Sequence, residues 1–124
     1  MKSPVDLPKA RRSFRYAFRG VINLFRFENN ARIHLSAAAA VLVAGSYFQL
    51  STTEWALIVT QIALVWATEA FNTALEKLAD AVSADYHPLI KAAKDLAAGA
   101  VLIVAISAAI VGILIFLPKI LMLF

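Results

Sequence analysis

The residues best suited to chemistry lie between positions 69 and 80, where three carboxylates and an amide recur at intervals of three or four: Glu69, Asn72, Glu76 and Asp80. If this segment is an α-helix, a rotation of about 100° per residue places all four on one stripe roughly 80° wide. Carboxylates on one stripe repel one another unless cations lie against them. The spacing therefore predicts a polar site along one face of one helix, which we call the acidic stripe.

Two further groups extend the acidic stripe: Glu28 before the first apolar run, and Lys94 with Asp95 before the last one. Carboxylates that converge with a lysine and an asparagine suit phosphoryl transfer, since hard oxygen ligands hold magnesium and magnesium bridges phosphate oxygens. A lysine neutralises the transferred group, and a free carboxylate accepts the proton of the attacking hydroxyl. The residue types therefore match magnesium-dependent phosphoryl transfer to a hydroxyl, which is the reaction of a kinase.

Other interpretations fit part of the same pattern. Asp80 alone is better explained as a polar helix–helix contact or a solvated position, whereas Glu69 and Glu76 together favour function, because carboxylates near lipid are rare and costly. A small proton-coupled drug exporter would use Glu69 to bind protons and substrate. A non-catalytic membrane subunit would use it to join helices. ATP consumption that depends on added lipid separates the kinase from both.

Several kinds of site are excluded or disfavoured. The sequence has no cysteine, so it has no disulfide, no thiolate nucleophile and no sulfur metal site. Its four glycines are scattered, so neither a Walker motif nor a kinase glycine-rich loop is present. His34 and His87 lie far apart in the sequence, which argues against a histidine metal site.

The composition indicates an integral membrane protein. Of the 124 residues, 61% are hydrophobic and 16% are charged, which is more apolar than is usual for a soluble domain. We expect one unit, residues 1–124, with a loose stretch at 1–10 and an amphipathic surface helix at 11–28. An arginine flank adjoins the apolar face of that helix, which holds Phe14, Phe18, Val21, Ile22 and Phe25. Such a helix lies in the headgroup plane or packs on the rest of the protein.

Three transmembrane helices are predicted at 33–50, 54–82 and 89–117, which makes the fold all-α. The first run is close to the minimum length for spanning about 30 Å of hydrocarbon, and its alanine-rich centre suits close helix packing. Ser51 and Glu54 have the spacing of a capping box at the start of the second helix. Pro88 disfavours helix at His87, so residues 83–88 form a polar break.

The charges predict an orientation. The loop at 51–54 has no Lys or Arg, whereas eleven of the twelve cations lie before the first apolar run or within 77–94, and only Lys119 lies on the other side. The positive-inside rule then places the N terminus and the 83–88 break in the cytoplasm and the C terminus outside. The cations that precede the first apolar run are Lys2, Lys9, Arg11, Arg12, Arg15, Arg19, Arg26 and Arg32. Their position fits an anionic membrane surface better than a nucleic-acid partner.

The sequence from 69 to 80, the Asp85-Tyr86-His87 loop and the run 94–101 resemble the prokaryotic diacylglycerol kinase and undecaprenol kinase family over roughly 13–118. The resemblance implies a homotrimer in the bacterial inner membrane, with sites shared between chains, ATP as donor, magnesium as cofactor and a lipid hydroxyl as acceptor. It also implies that Glu69 is the base and that Glu28 and Glu76 bind magnesium. The remaining cofactor-binding positions that it implies are Tyr16, Asn72, Asp85, Tyr86, His87, Lys94 and Asp95.

The sequence departs from the family pattern at two positions. Phe71 stands where an aliphatic residue is usual and Asp85 where Glu is common, and neither affects the implied acid and metal roles. The resemblance at Lys9 is weak. Three stretches are more similar to the undecaprenol kinase branch, at 30–34, 87–91 and 112–119. The resemblance therefore favours undecaprenol over diacylglycerol as the acceptor.

Overall fold

The computed structural model describes residues 4–124, and every regular element in that range is an α-helix. Helix α1 spans Leu7–Phe27, α2 spans Asn29–Tyr47, α3 spans Thr52–Val82 and α4 spans Pro88–Leu121. The all-α class predicted from the sequence is confirmed for these residues. Lys2, the first of the N-terminal cations, lies outside them.

Helix α1 begins earlier than expected. The side chain of Asp6 accepts a hydrogen bond of 3.0 Å from the backbone N–H of Lys9, and Pro8 occupies the first turn. An aspartate N-cap and an early proline are both favourable helix starts. The expectation of a loose stretch up to residue 10 is therefore wrong from Leu7 onward.

The two ends of α1 differ in their surroundings. Phe14 and Phe18 are each 68% exposed, so this apolar face has no partner within the described chain. At the other end, Leu24 is buried and the ring of Phe25 meets that of Trp66 edge to face, with centroids 5.0 Å apart. The last turn of α1 is thus fixed to α3. Insertion of the free part into the headgroup plane remains a prediction.

Helix α2 ends at Tyr47, three residues before the predicted end of the apolar run. Gln49 adopts a left-handed conformation with φ of 52°, and the N–H of Leu50 reaches the carbonyl of Gly45 at 3.1 Å. The N–H of Gln49 also contacts the carbonyl of Ser46 at 3.4 Å. This is the hydrogen-bond pattern of a Schellman motif, which terminates a helix by satisfying its last carbonyls.

The apolar core lies at the end of the bundle near the α2–α3 turn. Leu50, Ile58 and Ile115 are buried together there. Gly45 allows Trp55 to approach closely, because a Cβ atom at Gly45 would lie 2.6 Å from the Trp55 ring. Trp55 on α3 therefore packs directly against α2 at this end of the bundle.

The start of α3 is the predicted capping box. Ser51 Oγ accepts from the N–H of Glu54 at 3.2 Å, and the Glu54 carboxylate accepts from the N–H of Ser51 at 3.0 Å. The second carboxylate oxygen of Glu54 lies 2.9 Å from Lys119 Nζ on α4. One side chain thus caps α3 and joins it to the end of α4.

Helix α4 is long and apolar enough to cross a membrane, with a mean hydropathy of 3.1 over its most apolar stretch. It continues past Pro118 to Leu121, whereas the sequence predicted an end at 117. Among the described helices, α4 alone meets this criterion of length and hydropathy. Polar side chains such as Gln61 and Glu69 lower the hydropathy of α3, so the crossing of α2 and α3 remains a prediction.

Candidate active site

Glu69 lies inside the bundle and is 3% exposed. His34 on α2 is the side chain that approaches it, with Nε2 3.2 Å from Glu69 Oε1. The distance is within hydrogen-bond reach, but the orientation is not, so Oε1 accepts no hydrogen bond from the described residues. A buried carboxylate without full hydrogen bonding is unfavourable and commonly marks a functional site.

The burial of Glu69 corrects one expectation. Three helices cannot easily shield an intramembrane carboxylate and a small-residue face from lipid on their own, so the sequence predicts that neighbouring chains complete the site. The chain buries the Glu69 side chain by itself, because α2 presents the small residues Ala31 and Ala38 to α3 and approaches closely. Neighbouring chains are therefore not needed to shield Glu69, and the trimer remains a prediction from the resemblance.

Asn72, one helical turn further along α3, also has a buried oxygen, Oδ1, without a hydrogen-bond partner among the described residues. Residues three apart on a helix are neighbours on one face, so Glu69 and Asn72 share one face of α3. Two buried acceptors on one face suit a donor such as a substrate hydroxyl or a metal-bound water.

The end of the acidic stripe nearest the α3–α4 loop contacts α4. Lys94 Nζ lies 2.6 Å from Asp80 Oδ1, and Glu76 is exposed one turn before Asp80. A cation therefore lies against the stripe as expected, but it meets Asp80 and not Glu69. A second pair on α4 joins Lys91 to Asp95 at 2.7 Å.

The loop between α3 and α4 forms a concave surface of about 400 Å³ with these charges. The N–H of Asp85 donates to Ser83 Oγ at 3.2 Å, and His87 Nδ1 accepts from the N–H of Leu89 at 3.1 Å, which caps α4. We call this surface the loop cleft. Its lining includes most of the predicted nucleotide contacts, and its residues are Asp80, Ser83, Ala84, Asp85, Tyr86, His87, Ile90, Lys91, Lys94 and Asp95.

Two predicted site residues lie elsewhere in the chain. Tyr16 is exposed on α1, where the Arg19 guanidinium lies 6.0 Å from its ring centroid. Glu28 is half-buried at the junction of α1 and α2, where its extended backbone ends one helix and precedes the next. Within residues 4–124, neither side chain makes a hydrogen bond or ion pair with the acidic stripe.

The predicted magnesium ligands can be judged by their donor chemistry. Within residues 4–124, no three His, Cys, Asp or Glu side chains come close enough to hold a metal ion together. Magnesium is usually bound by one or two carboxylates together with water and substrate phosphate, so a preformed cluster is not required. Exposed Glu76 and half-buried Glu28 are hard oxygen donors of the appropriate kind.

His34 is the residue that the sequence did not identify as part of the site. It was considered only for a metal site shared with His87, and the two do not meet. The usable signal was a histidine within an otherwise apolar run, since an ionisable group there needs a partner. The partner lies 35 positions away on α3, and one helix cannot reveal that contact.

A small apolar cavity of about 120 Å³ adjoins His34 between α2, α3 and α4. Gln61 is a second polar residue in its wall and accepts a hydrogen bond of 3.1 Å from Ser107 Oγ. The lining residues are His34, Ala37, Ala38, Val41, Ile58, Gln61, Ile62, Val65, Trp66, Ala108 and Gly112. His34 therefore stands between this apolar cavity and the Glu69 carboxylate.

Comparisons with known proteins identify the family of the chain. A family model described as prokaryotic diacylglycerol kinase matches residues 15–116. The undecaprenol kinase of Bacillus subtilis (strain 168) is 44% identical over 114 residues, which are 92% of this chain and 93% of that protein. The diacylglycerol kinase of Synechocystis sp. is 46% identical over 110 residues, which are 88% of this chain and 63% of that protein.

A more distant relative is the diacylglycerol kinase of Escherichia coli (strain K12), which is 28% identical over 95 residues, covering 77% of this chain and 78% of that protein. The family model covers well over half of the chain, and the relatives share the lipid kinase activity in their names. The chain therefore belongs to the prokaryotic diacylglycerol kinase family, and it is a membrane lipid kinase with ATP as its phosphate donor.

Proposed function

We propose that this lipid kinase phosphorylates the hydroxyl of undecaprenol in preference to diacylglycerol, and that its reaction depends on magnesium. The observation that carries the site assignment is Glu69, a nearly fully buried carboxylate whose Oε1 has no hydrogen-bond donor of suitable geometry. The preference for undecaprenol is supported by the 44% identity to a protein named undecaprenol kinase across almost its whole length.

Glu69 acts as the general base in this proposal. It takes the proton of the lipid hydroxyl while the hydroxyl oxygen attacks the terminal phosphorus of ATP, and the bond from that phosphorus to the bridging oxygen of ADP breaks. A base must lie within hydrogen-bond reach of the proton that it removes. Because His34 lies against Oε1, the second carboxylate oxygen of Glu69 is the atom that would take the proton of a hydroxyl carried by a lipid.

The loop cleft binds the nucleotide in this proposal. Lys91 and Lys94 supply positive charge, and Tyr86 is an exposed ring beside them. Asp85, His87 and Asp95 contribute polar groups around the same surface. Lys94 is held by Asp80 in the described chain, so phosphate binding would compete with that ion pair.

Magnesium would be held by Glu76 and Glu28, with Asn72 as a neighbouring oxygen donor. When bound, it would neutralise phosphate charge. Tyr16 on α1 would complete the nucleotide contacts. Among the described residues, the side chains of Tyr16 and Glu28 make no hydrogen bond or ion pair with the acidic stripe, so a neighbouring chain of a homotrimer is the source we propose for one part of the site.

Membrane placement completes the proposal. The N terminus and the loop cleft face the cytoplasm, where ATP is present, α2, α3 and α4 span the inner membrane, and the C terminus lies outside. The support is the charge asymmetry, since the described cations other than Lys119 lie towards the end that carries the acidic stripe or on α1 and the start of α2.

The acceptor is tested by a direct comparison. Purified protein in mixed micelles receives labelled ATP and either undecaprenol or diacylglycerol at equal surface fraction. We expect the higher kcat/KM with undecaprenol. A higher value with diacylglycerol would reverse the substrate preference and leave the kinase assignment intact, whereas phosphorylation of neither lipid would contradict the proposal.

A further inference from the structure

We infer that His34 is a positioning residue for the Glu69 carboxylate, and this inference rests on the proposed role of Glu69 as the base. The geometry that points to it is the approach of His34 Nε2 to within 3.2 Å of Glu69 Oε1 across the α2–α3 interface. No role for His34 follows from the acidic stripe or from the loop cleft. It is a residue of the first turns of α2, far from both in sequence.

The interface around the pair is built to bring the two side chains together. The residues one turn before and one turn after His34 on the same face are Ala31 and Ala38, which are 0% and 6% exposed. Their small side chains let the backbone of α2 approach α3, and the imidazole is the longer group that reaches across. Gly45, near the C-terminal end of α2, lies on the same face of small residues.

The His34 imidazole is the hydrogen-bond partner available to Glu69 Oε1. Among the described residues, Oε1 has no hydrogen-bond donor with suitable geometry, and the cavity beside His34 is lined mainly by aliphatic side chains. A carboxylate in apolar surroundings gains far more from one charge-assisted hydrogen bond than a solvated carboxylate does. A small rotation of the imidazole converts the 3.2 Å contact into such a bond, with Nε2–H as donor.

The consequence for the reaction is geometric. A glutamate side chain has three rotatable bonds, so a free carboxylate samples positions more than 1 Å from the productive one, and displacements of that size slow catalysis by roughly 10²-fold. His34 restricts Oε1 from the α2 side and leaves the second oxygen of Glu69 to take the proton. It thereby acts through Glu69 without itself touching the phosphate.

The test compares four variants in mixed micelles with undecaprenol and ATP: His34→Leu, His34→Gln, Glu69→Gln and the double variant His34→Leu/Glu69→Gln. We expect His34→Leu to lower kcat about 10-fold to 100-fold, with the KM for ATP within about twofold. His34→Gln retains an N–H donor and should recover part of the loss. Ser36→Ala is the matched control on α2, because Ser36 is exposed and bonds only its own helix at Arg32.

The double variant decides whether His34 acts through Glu69. If it does, adding His34→Leu to Glu69→Gln lowers kcat no further, because the group being positioned is already absent. Additive losses would overturn the inference, as would normal kcat in His34→Leu while Glu69→Gln is inactive. Full turnover in Glu69→Gln would instead contradict the proposed base, and the positioning role with it.

A readout without turnover tests the contact itself. In a His87→Gln background the chain holds one histidine, so the imidazole nitrogen resonances of labelled protein report His34 alone. We expect Glu69→Gln to shift the Nε2 resonance and Ser36→Ala to leave it in place. An unchanged resonance in Glu69→Gln would show that the two side chains do not interact, whatever the kinase activity.

Discussion

Lys94 Nζ on α4 lies 2.6 Å from Asp80 Oδ1 on α3, and this pair closes the end of the acidic stripe nearest the loop cleft. Asp80 is exposed and Lys94 is half-buried, so the pair stands at the rim of the loop cleft and not inside the bundle. Exposed ion pairs contribute little net stability. In the proposed site, the main effect of the pair is therefore to hold the lysine in place before nucleotide binds.

Asp80→Asn and Lys94→Met should consequently have different effects. We expect Asp80→Asn to leave the thermal midpoint almost unchanged and to retain substantial turnover, because Lys94 remains available to phosphate. Lys94→Met should raise the KM for ATP strongly and lower kcat. Steady-state kinetics with varied ATP would measure both, and equal losses in the two variants would show that the pair acts as one unit.

Glu69→Gln and Glu76→Gln should lose activity for different reasons. Glu69→Gln keeps the size of the side chain and removes the base, so we expect nucleotide binding to persist while phosphate transfer falls about 10²-fold or more. Glu76→Gln should mainly weaken magnesium-dependent nucleotide binding. A magnesium titration of nucleotide affinity measures the second effect. Near-normal turnover in Glu69→Gln would refute the base assignment, and loss of the folded protein would favour a structural role.

Sites shared between chains predict complementation. Protein lacking Glu69 and protein lacking Lys94, each inactive alone, should recover partial activity when they are mixed during reassembly, if one chain supplies Glu69 and its neighbour supplies Lys94 to the same site. Each protein reassembled alone is the control. Absence of recovery at every mixing ratio would count against shared sites.

Gly45→Ala should destabilise the end of the bundle near the α2–α3 turn. An added Cβ atom would lie 2.6 Å from the Trp55 ring, and overpacking of this kind costs about 1–3 kcal/mol. Gly20→Ala is the matched control, since no atom lies within 4 Å of the added Cβ there and alanine is favoured over glycine within a helix. Thermal unfolding in micelles should show a lower midpoint for the first variant and not for the second.

The orientation can be measured with single cysteines, because the chain has none of its own. A cysteine replacing Thr52 should react with an impermeant thiol reagent added to intact cells. One replacing Ala84 should react only after the cells are opened, and both positions are exposed in the chain. The opposite labelling would place the loop cleft on the side without ATP.

The sequence was sufficient for features that depend on short spacings. The capping box of Ser51 and Glu54, the break before Pro88 and the helical character of the segment with Glu69 follow from neighbours a few positions apart, and all appear in the structure. The sequence predicted that a cation lies against the acidic stripe, but not that Lys94 meets Asp80. Which carboxylate Lys94 reaches depends on how α3 and α4 pack.

Long-range packing accounts for what the sequence did not reveal. The contact of His34 with Glu69 requires the approach of α2 to α3. The small residues Ala31 and Ala38 permit that approach, but they do not indicate which helix packs against them. The early end of α2 depends on a left-handed glutamine, Gln49, where glycine is the usual signal. The burial of Glu69 by its own chain likewise could not be read from one helix.

Glu54 has a consequence for motion. Because it caps α3 and also binds Lys119, and because the buried cluster of Leu50, Ile58 and Ile115 lies beside it, α3 and α4 are held together at the end near the α2–α3 turn. The loop of residues 83–87 and the Lys94–Asp80 ion pair join the same two helices at the opposite end. Since both ends are held, we expect α3 and α4 to move as one rigid unit.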